Sequence, residues 1–317
     1  MSRVCLTAAW QFPGHVNRKS RSPKRAPSRL VKLVKTVYLS KTMLPTPSTS
    51  HVCFDTIYEP AEDSYLFLDT LSSSPEATWL SQRFSSGSEQ SPSPGGNSTP
   101  LVVEVGTGSG VVLAFAAANA KSIFGRPDVL TLGTDVNTNA CSATRKTVLV
   151  ALDEKKEESK INGREPTTNA QLCAAITGDL CAPLRPGAVD ILLFNPPYVP
   201  TPELPQIPSP DEAQDSKGFS SKFERDSHLL SLSYAGGDNG METTNRLLAA
   251  VPGILNPERG VAYVLLCAQN KPQDVMEHIR RWGCGWNVEI AGRSGVKAGW
   301  ERLVIIRIWK DAVAQEQ

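Results

Sequence analysis

Residues 101–110 read LVVEVGTGSG, a short and mostly apolar run followed by glycines at alternate positions. The run LVVEV (101–105) predicts a buried strand, and VVLAFAAANAKSIF (111–124) behind the glycines predicts a helix. Glycine between a strand and a helix permits a tight turn and lets a ligand approach the backbone closely. The stretch therefore predicts the first strand, loop and helix of an α/β fold, with a ligand site where the strand ends.

The rest of the chain repeats this alternation of strand and helix. Further strands are predicted at 129–135, 172–177, 189–194 and 260–268, with helices at 138–152, 241–255 and 274–282. Apolar strands separated by helices indicate a mostly parallel sheet that is covered on both faces. The last two strands, 286–293 and 301–309, have no helix between them and predict an antiparallel hairpin at one edge. The predicted fold class is α/β, a doubly wound sheet of seven strands.

Composition divides the chain into a leader and one domain. Residues 1–42 are basic and without periodic pattern, and we expect them to be a disordered leader. Three interpretations of these residues stay open. The leader is disordered or mis-assigned and the true start is Met43, it is an organelle transit peptide, or it is a tail that binds polyanions. Residues 43–317 are predicted to form the domain. Three polar stretches within it are predicted to be flexible loops, at 85–100, 153–169 and 201–233.

The charge and the cysteines limit the partners. Residues 1–50 contain ten Lys and Arg but no Asp or Glu, so the other 267 residues hold 23 basic and 32 acidic side chains, a net charge of −9. Such a body is a poor match for nucleic acid, whose binding neutralises phosphates, and no direct nucleic-acid binding is expected. The seven scattered cysteines form no CxxC pair, which argues against a metal site or a disulfide framework. No apolar run has membrane-spanning length. We expect a cytoplasmic protein, with the nucleus as the alternative.

Acidic residues follow three successive strands of the predicted sheet. Glu104 precedes the glycines, Asp135 ends the second strand, and Asp179 follows the third. A carboxylate beside the glycine loop repels a pyrophosphate, and Asp135 stands where an acid can accept both hydroxyls of a ribose. Strand-end Asp residues also serve as turn formers and helix caps, and for Asp179 alone the two interpretations weigh equally. Together the three acids favour a cationic ligand with a ribose and no phosphate. S-adenosylmethionine is such a ligand.

The fourth strand ends in a rigid corner, FNPPY (194–198). Methyl transfer to nitrogen requires a lone pair aimed at the methyl carbon, and two acceptors can hold the hydrogens of an NH₂ group to aim it. We predict that the Asn195 side-chain oxygen and the Pro196 carbonyl are these acceptors, that Pro197 fixes the direction of that carbonyl, and that Tyr198 is a flat wall for the planar acceptor group. The alternative is a rigid loop terminator without chemistry.

With these residues the sequence resembles class I S-adenosylmethionine-dependent methyltransferases with an N-P-P-Y motif, in particular the HemK-like glutamine methyltransferases of the eukaryotic branch. The resemblance covers about residues 43–310. Its motifs are MLPTP (43–47), YEPAEDS (58–64), EVGTGSG (104–110), TD (134–135), GDL (178–180), FNPPYVP (194–200) and AGGDNGME (235–242). Tyr234 and Ser64 depart from the family, which commonly has Trp and Thr at these positions.

The resemblance implies a Rossmann-like fold, a cofactor and a substrate. The residues expected to contact S-adenosylmethionine are Asp63, Ser64, Glu104, Gly106, Asp135, Asp179, Leu180 and Asn195, with Gly108 of the same glycine loop. The expected catalytic residues are Asn195, Pro196 and Tyr198, and the expected substrate contacts are Asn195, Pro197 and Tyr198. The substrate of such enzymes is the glutamine of the Gly-Gly-Gln loop in a class I translation release factor.

The resemblance also implies a partner, a small zinc-binding activator subunit. In the usual strand order of these enzymes LCAAIT (172–177) lies at an edge of the sheet, yet it is apolar on both faces. An exposed edge of this kind promotes aggregation unless something covers it. We therefore expect the activator to add a strand along 172–177.

Other functions stay open at the level of sequence. An adenine N6-methyltransferase of DNA or RNA would use the same corner for an exocyclic amine, although the acidic body argues against it. A protein-lysine methyltransferase would place an amine on the same acceptors. A methyltransferase fold kept only for complex assembly is a further alternative, and the retained Glu104, Asp135, Asp179 and Asn195 argue against it.

Overall fold

Seven strands form one mixed sheet in the computed structural model, which describes residues 43–84, 98–207, 221–283, 285–295 and 302–311. They are β1 (Leu101–Val105), β2 (Leu130–Asp135), β3 (Gln171–Thr177), β4 (Ile191–Phe194), β5 (Val261–Cys267), β6 (Trp286–Arg293) and β7 (Leu303–Lys310). Their order across the sheet is β3-β2-β1-β4-β5-β7-β6. The first five strands pair in parallel, whereas β7 is antiparallel to both β5 and β6. The predicted fold class and the antiparallel edge are confirmed.

Helices cover both faces of this sheet. In the described ranges they are α1 (Glu62–Ser72), α2 (Ser74–Phe84), α3 (Val111–Ala118), α4 (Ala120–Phe124), α5 (Thr138–Ile161), α6 (Lys222–Ser231), α7 (Glu242–Ile254) and α8 (Pro272–Arg280). Side chains alternate between the two faces of a strand. Leu193 and Tyr263 accordingly pack into one core with α1 to α5, while Leu192 and Leu266 pack into a second core with α7 and α8.

The prediction of a flexible loop at 153–169 is wrong for its first half. Residues 153–161 continue α5 as an exposed helix. The charges that suggested a loop form pairs three residues apart, Lys155 with Glu158 at 2.8 Å and Lys156 with Asp153 at 3.5 Å. Lys and Glu are also good helix formers, and such pairs stabilise a helix that buries little apolar surface.

The predicted loop at 201–233 also contains a helix, α6, so a flexible loop is wrong for that part. Ser221 caps it, because the Ser221 hydroxyl accepts a hydrogen bond from the Glu224 N–H at 3.2 Å. Residues 208–220 of this stretch lie outside the described residues, as do the predicted leader 1–42 and most of the predicted loop 85–100.

The helices α1 and α2 were not predicted, although they bury large side chains against the sheet. Leu71 and Leu80 are fully buried, and Phe84 is nearly so. The predicted helix 111–124 is divided at Asn119 into α3 and α4. No helix in the described part of the chain combines the length and apolarity needed to cross a membrane.

Candidate active site

A cleft lies at the edge of the sheet where β1, β2, β3 and β4 end, because these parallel strands finish on the same side. It encloses about 1200 Å³ free of protein atoms, part of which is open to solvent. The predicted site residues that line the cleft are Asp63, Ser64, Glu104, Gly106, Gly108, Asp135, Asp179, Leu180, Asn195, Pro196 and Pro197. Tyr198 is the predicted site residue that does not line it.

The glycine loop after β1 needs its glycines. Gly106, Gly108 and Gly110 all adopt left-handed backbone conformations, with φ of 65°, 52° and 76°. A Cβ atom on Gly110 would lie 2.6 Å from the Cα of Thr144 in α5, so helix and loop are in backbone contact. A Cβ on Gly108 would meet no atom within 4 Å. The loop is therefore open at Gly108, on the wall of the cleft.

Glu104 is a buried carboxylate at the end of β1. Its side chain is 4% exposed, and its Oε2 accepts a hydrogen bond from the Leu113 N–H of α3 at 3.0 Å. Burial raises the pKa of this carboxyl well above its ordinary value, the Leu113 hydrogen bond offsets part of the increase, and the nearby charge of Asp135 adds to it. A positively charged ligand in the cleft would favour the ionised form of Glu104.

Asp135 lies at the end of β2 with both carboxylate oxygens in use. Oδ2 accepts from the Gly108 N–H at 3.0 Å and Oδ1 from the Asn137 N–H at 2.8 Å. Burial raises the pKa of Asp135, and these backbone donors oppose that increase. Each carboxylate oxygen has further acceptor capacity, so Asp135 can still accept hydroxyl groups from a ligand.

Asp179 and Leu180 follow β3 in the turn that borders the cleft. Asp179 forms an ion pair with Arg246 of α7, a partner that the sequence analysis did not foresee. Leu180 has a φ of 49°, unusual for a residue with a side chain, and its carbonyl accepts from the Thr134 hydroxyl at 3.0 Å. Arg246 is the one basic side chain among the described residues that line the cleft.

Asn195 is held by a carboxylate from α1. Its Nδ2 donates to the Asp63 Oδ2 at 3.1 Å, while the other Asp63 oxygen accepts from the Ser64 N–H at 2.6 Å. The Oδ1 atom of Asn195 is buried and has no hydrogen-bond partner among the residues that the structure describes. A buried acceptor without a donor is rare in folded proteins, because it costs about 1–3 kcal/mol.

Tyr198 follows Pro197 but does not itself line the cleft. Its half-buried side chain packs against the core formed by α1 to α5, and its carbonyl accepts from the Asn270 Nδ2 at 3.2 Å. The direction of a side chain after two prolines depends on the backbone of the whole turn, which the sequence pattern does not define. That Tyr198 is a wall for the acceptor group stays a prediction.

Two walls of the cleft come from segments that the sequence analysis did not assign to the site. Thr56, Ile57 and Tyr58 form one wall, and the Asn137 side chain ties it to α5 by donating to the Thr56 carbonyl at 2.7 Å. Asn137 is also the N-cap of α5, a signal that could have drawn attention to it. The second wall is apolar and consists of Leu204, Pro205, Ile207, Leu229 and Leu232.

Among the residues described near the cleft, neither a cluster of metal ligands nor a reactive thiol is found. The described residues contain no group of three or more His, Cys, Asp or Glu side chains placed to hold a metal ion. Burial raises the pKa of Cys181 to about 11, so that this thiol stays protonated at neutral pH and is a poor nucleophile.

The strand order, the glycine loop after β1 and the acidic residues after β2 and β3 define a class I methyltransferase. Methyltransferase HEMK2 of Homo sapiens is 30% identical to this chain over 271 residues, which are 84% of this chain and 96% of that protein. The eRF1 methyltransferase catalytic subunit mtq2 of Schizosaccharomyces pombe is also 30% identical, over 272 residues and the same shares of the two chains. The chain belongs to the family of HEMK2 and Mtq2 methyltransferases.

The family assignment rests on these two relatives and not on solved structures or family models. A chain from the E. cuniculi Mtq2–Trm112 complex is 19% identical, with a TM-score of 0.43 over 81% of this chain and 99% of that one. No protein-family model matches the chain.

Proposed function

We propose that this methyltransferase transfers a methyl group from S-adenosylmethionine to the side-chain nitrogen of a glutamine in a translation release factor. The observation that carries the proposal is the amide of Asn195, whose nitrogen is held by Asp63 while its buried oxygen has no described partner. A substrate N–H bonded to this oxygen would remove the cost of the unpaired acceptor. The NH₂ group of a glutamine side chain supplies such a donor.

The corner around Asn195 suits an acceptor nitrogen with two hydrogens. Asn195 Oδ1 would accept one N–H and the Pro196 carbonyl the other, and Pro196 and Pro197 carry no N–H that could compete for them. S-adenosylmethionine supplies a methyl group on a positively charged sulfur. With the cofactor bound, the held nitrogen would take the methyl group while the electron pair of the C–S bond went to sulfur, and the nitrogen would then lose one proton to solvent. The role of the protein in this step is orientation.

The charges and hydrogen-bond acceptors of the cleft favour S-adenosylmethionine. Glu104 and Asp135 supply the negative charge that a sulfonium and an ammonium group require, and Asp135 retains acceptor capacity for a ribose. Arg246, the one basic side chain among the described lining residues, is already paired with Asp179. A pyrophosphate would meet no free basic side chain among the lining residues that the structure describes, which argues against a dinucleotide. We infer that Asp63, Ser64, Gly106, Gly108 and Leu180 complete the cofactor site.

The choice of a release factor rests on the relatives. The fission-yeast relative is named as a methyltransferase of eRF1, and it aligns over nearly its whole length. The net charge of −9 over residues 51–317 opposes a nucleic-acid substrate, since binding to DNA or RNA depends on neutralising phosphates. Methylation of a lysine or of an adenine is an alternative outcome of the test below.

A second subunit is part of the proposal. The name of the fission-yeast relative, a catalytic subunit, describes a protein that works together with another. In this chain β3 is at the edge of the sheet, and in α5, the helix that precedes it in the chain, Leu149 and Ile161 are 45% and 83% exposed. An apolar edge of this kind requires a cover. We propose that a small activator adds a strand along 172–177; an isolated chain that is monodisperse and fully active would contradict this.

The test of the function is methyl transfer with a labelled donor. The full-length chain, produced with and without co-expressed candidate activators, is incubated with a eukaryotic class I release factor. The matched substrate has the glutamine of its Gly-Gly-Gln loop replaced by alanine. Label on the first protein alone supports the proposal. Equal label on both proteins, or label recovered on lysine or on added nucleic acid, would contradict it.

A further inference from the structure

The motif AGGDNGME (235–242) has no role in the chemistry described so far, yet it packs directly against the corner that holds Asn195. We call residues 195–199 the acceptor turn and residues 235–241 the bracing loop. The Val199 N–H donates to the Tyr234 carbonyl at 3.0 Å, and the Gly236 N–H donates to the Val199 carbonyl at 2.8 Å. Val199 and Ala235 form a parallel bridge. The two segments are therefore joined through their backbones.

The glycines of the bracing loop permit this approach. A Cβ atom on Gly236 would lie 2.4 Å from the carbonyl oxygen of Pro197, and one on Gly240 would lie 2.0 Å from the carbonyl oxygen of Tyr198. Gly240 also has a φ of 68°. Residues with side chains at these two positions would push the acceptor turn away.

Asn270 joins both segments to the end of β5. Its side-chain Nδ2 is within hydrogen-bond distance of three carbonyl oxygens, those of Asn239 at 3.0 Å, Tyr198 at 3.2 Å and Gly240 at 3.3 Å. Its Oδ1 accepts from the Cys267 N–H at 2.8 Å. The surrounding groups define the orientation of the amide, because a flipped amide would set its oxygen against three carbonyls. Asn270 is 2% exposed and does not line the cleft.

We propose that Asn270 is a positioning residue for methyl transfer, which acts by fixing the Tyr198 carbonyl and with it the acceptor turn. Only Pro196 and Pro197 separate Tyr198 from Asn195. Proline fixes φ, so that this short segment is stiff and an anchor at Tyr198 restricts the Pro196 carbonyl and the Asn195 side chain. This inference rests on the function proposed above, since it assigns Asn270 to the geometry of that reaction.

Asn270→Ala is compared with Asn119→Ala. Asn119 is also buried, at 3% exposure, and its Nδ2 donates to one carbonyl, that of Phe115, at 3.0 Å, but it lies away from the acceptor turn. Misplacement of reacting groups by about 1 Å can cost about 100-fold in rate. We expect kcat to fall about 10- to 100-fold in Asn270→Ala while the Kd of S-adenosylmethionine changes less than about twofold. Asn119→Ala should keep kcat, measured below the melting temperature of both variants.

A second variant and a second readout keep the proposal open to refutation. Gly236→Ala pushes on the Pro197 carbonyl from the bracing loop and should reproduce the loss of kcat without loss of cofactor affinity. Hydrogen exchange at the Val199 and Gly236 amides should accelerate in Asn270→Ala and stay unchanged in Asn119→Ala. If Asn270→Ala does not fold, the kcat of Gly236→Ala tests the proposal in its place.

Two results would overturn the inference. One is an unchanged kcat in Asn270→Ala, or in Gly236→Ala where the first does not fold. The other is a loss of kcat that Asn119→Ala shares. Exchange rates and cofactor binding do not depend on the substrate, so failure of the proposed reaction in the wild-type protein would be visible separately.

Discussion

At the scale of single residues, Asn195 shows how two neighbours define the function of one side chain. Asp63 accepts from its nitrogen, which leaves the amide oxygen as the group without a described partner. The sequence pattern predicts that this oxygen is an acceptor, whereas the carboxylate that orients it lies 132 residues earlier and is indicated only by a family motif. The sequence pattern identifies the acceptor; the fold supplies its orientation.

Replacement of Asn195 by alanine should separate catalysis from cofactor binding. The change removes one acceptor for the substrate nitrogen, and loss of one preorganised contact of this kind costs about 10²–10³ in kcat. The Kd of S-adenosylmethionine should change only a few-fold, because Glu104 and Asp135 are untouched. Calorimetry and single-turnover methyl transfer measure the two quantities, and unchanged turnover would exclude the role of Asn195.

The affinity for a positively charged cofactor should rise with pH. Burial raises the pKa of Glu104 well above its ordinary 4.5, so in weakly acidic solution the carboxyl of the free protein keeps its proton. A cationic ligand favours the ionised form, so binding releases that proton. The affinity should therefore increase as pH rises from about 5 to the raised pKa and level off above it, and the proton of Glu104 alone contributes a slope of at most about tenfold per pH unit.

The control for this pH dependence is Glu104→Gln, which has no proton to release at that position. Its slope of affinity against pH should be smaller than that of the wild-type protein, with Asp135, whose pKa is also raised, supplying the remainder. A wild-type affinity that is constant or falls between pH 5 and 7 would contradict the assignment of Glu104.

At the scale of elements, the contact between β2 and the glycine loop lets the sheet support the cleft. A Cβ atom on Gly133 of β2 would lie 2.6 Å from Thr107 Cγ2 and 3.3 Å from Thr144 Cγ2. The strand, the loop and α5 thus meet at Gly133, where a side chain would not fit. The sequence pattern predicts the strand and the loop but not this contact, because the contact joins Gly133 to residues 26 and 11 positions away.

Gly133→Ala should destabilise the protein and weaken cofactor binding. Overpacking of this kind costs typically about 1–3 kcal/mol of the free energy of unfolding, and the displaced Thr107 belongs to the lining of the cleft. Gly253→Ala in α7 is the matched control, since its Cβ meets no atom within 4 Å and alanine favours a helix by about 1 kcal/mol. Urea unfolding measures both variants, and an equal stability of the two would contradict this account of the packing.

The elements also show what the sequence could and could not predict. The strands were predictable because β4 and β5 are short runs that are apolar at nearly every position, which is typical of strands buried on both faces. The charged half of α5 was misread because polarity alone does not distinguish a loop from an exposed helix with paired charges. Arg246, the Thr56–Tyr58 wall and the apolar wall from 204–207 and α6 were missed because they reach the cleft only through tertiary packing.

At the scale of the whole molecule, the distribution of charge favours a protein substrate over a nucleic-acid substrate. All the acidic side chains fall after residue 50, and the body carries a net charge of −9. A chain that begins at Met43 should therefore elute from a heparin column at low salt, whereas the full-length chain should be retained through its basic residues 1–42. Retention of the shortened chain at physiological salt would favour a nucleic-acid substrate.

A crystal structure of the ternary complex is the most direct test of the whole account, with the cofactor product and a release-factor loop bound to the protein. The account predicts that the glutamine side-chain nitrogen lies about 3 Å from both Asn195 Oδ1 and the Pro196 carbonyl oxygen, in line with the sulfur. A bound glutamine whose nitrogen faces away from these two oxygens would contradict it, and so would adenosine bound outside the cleft.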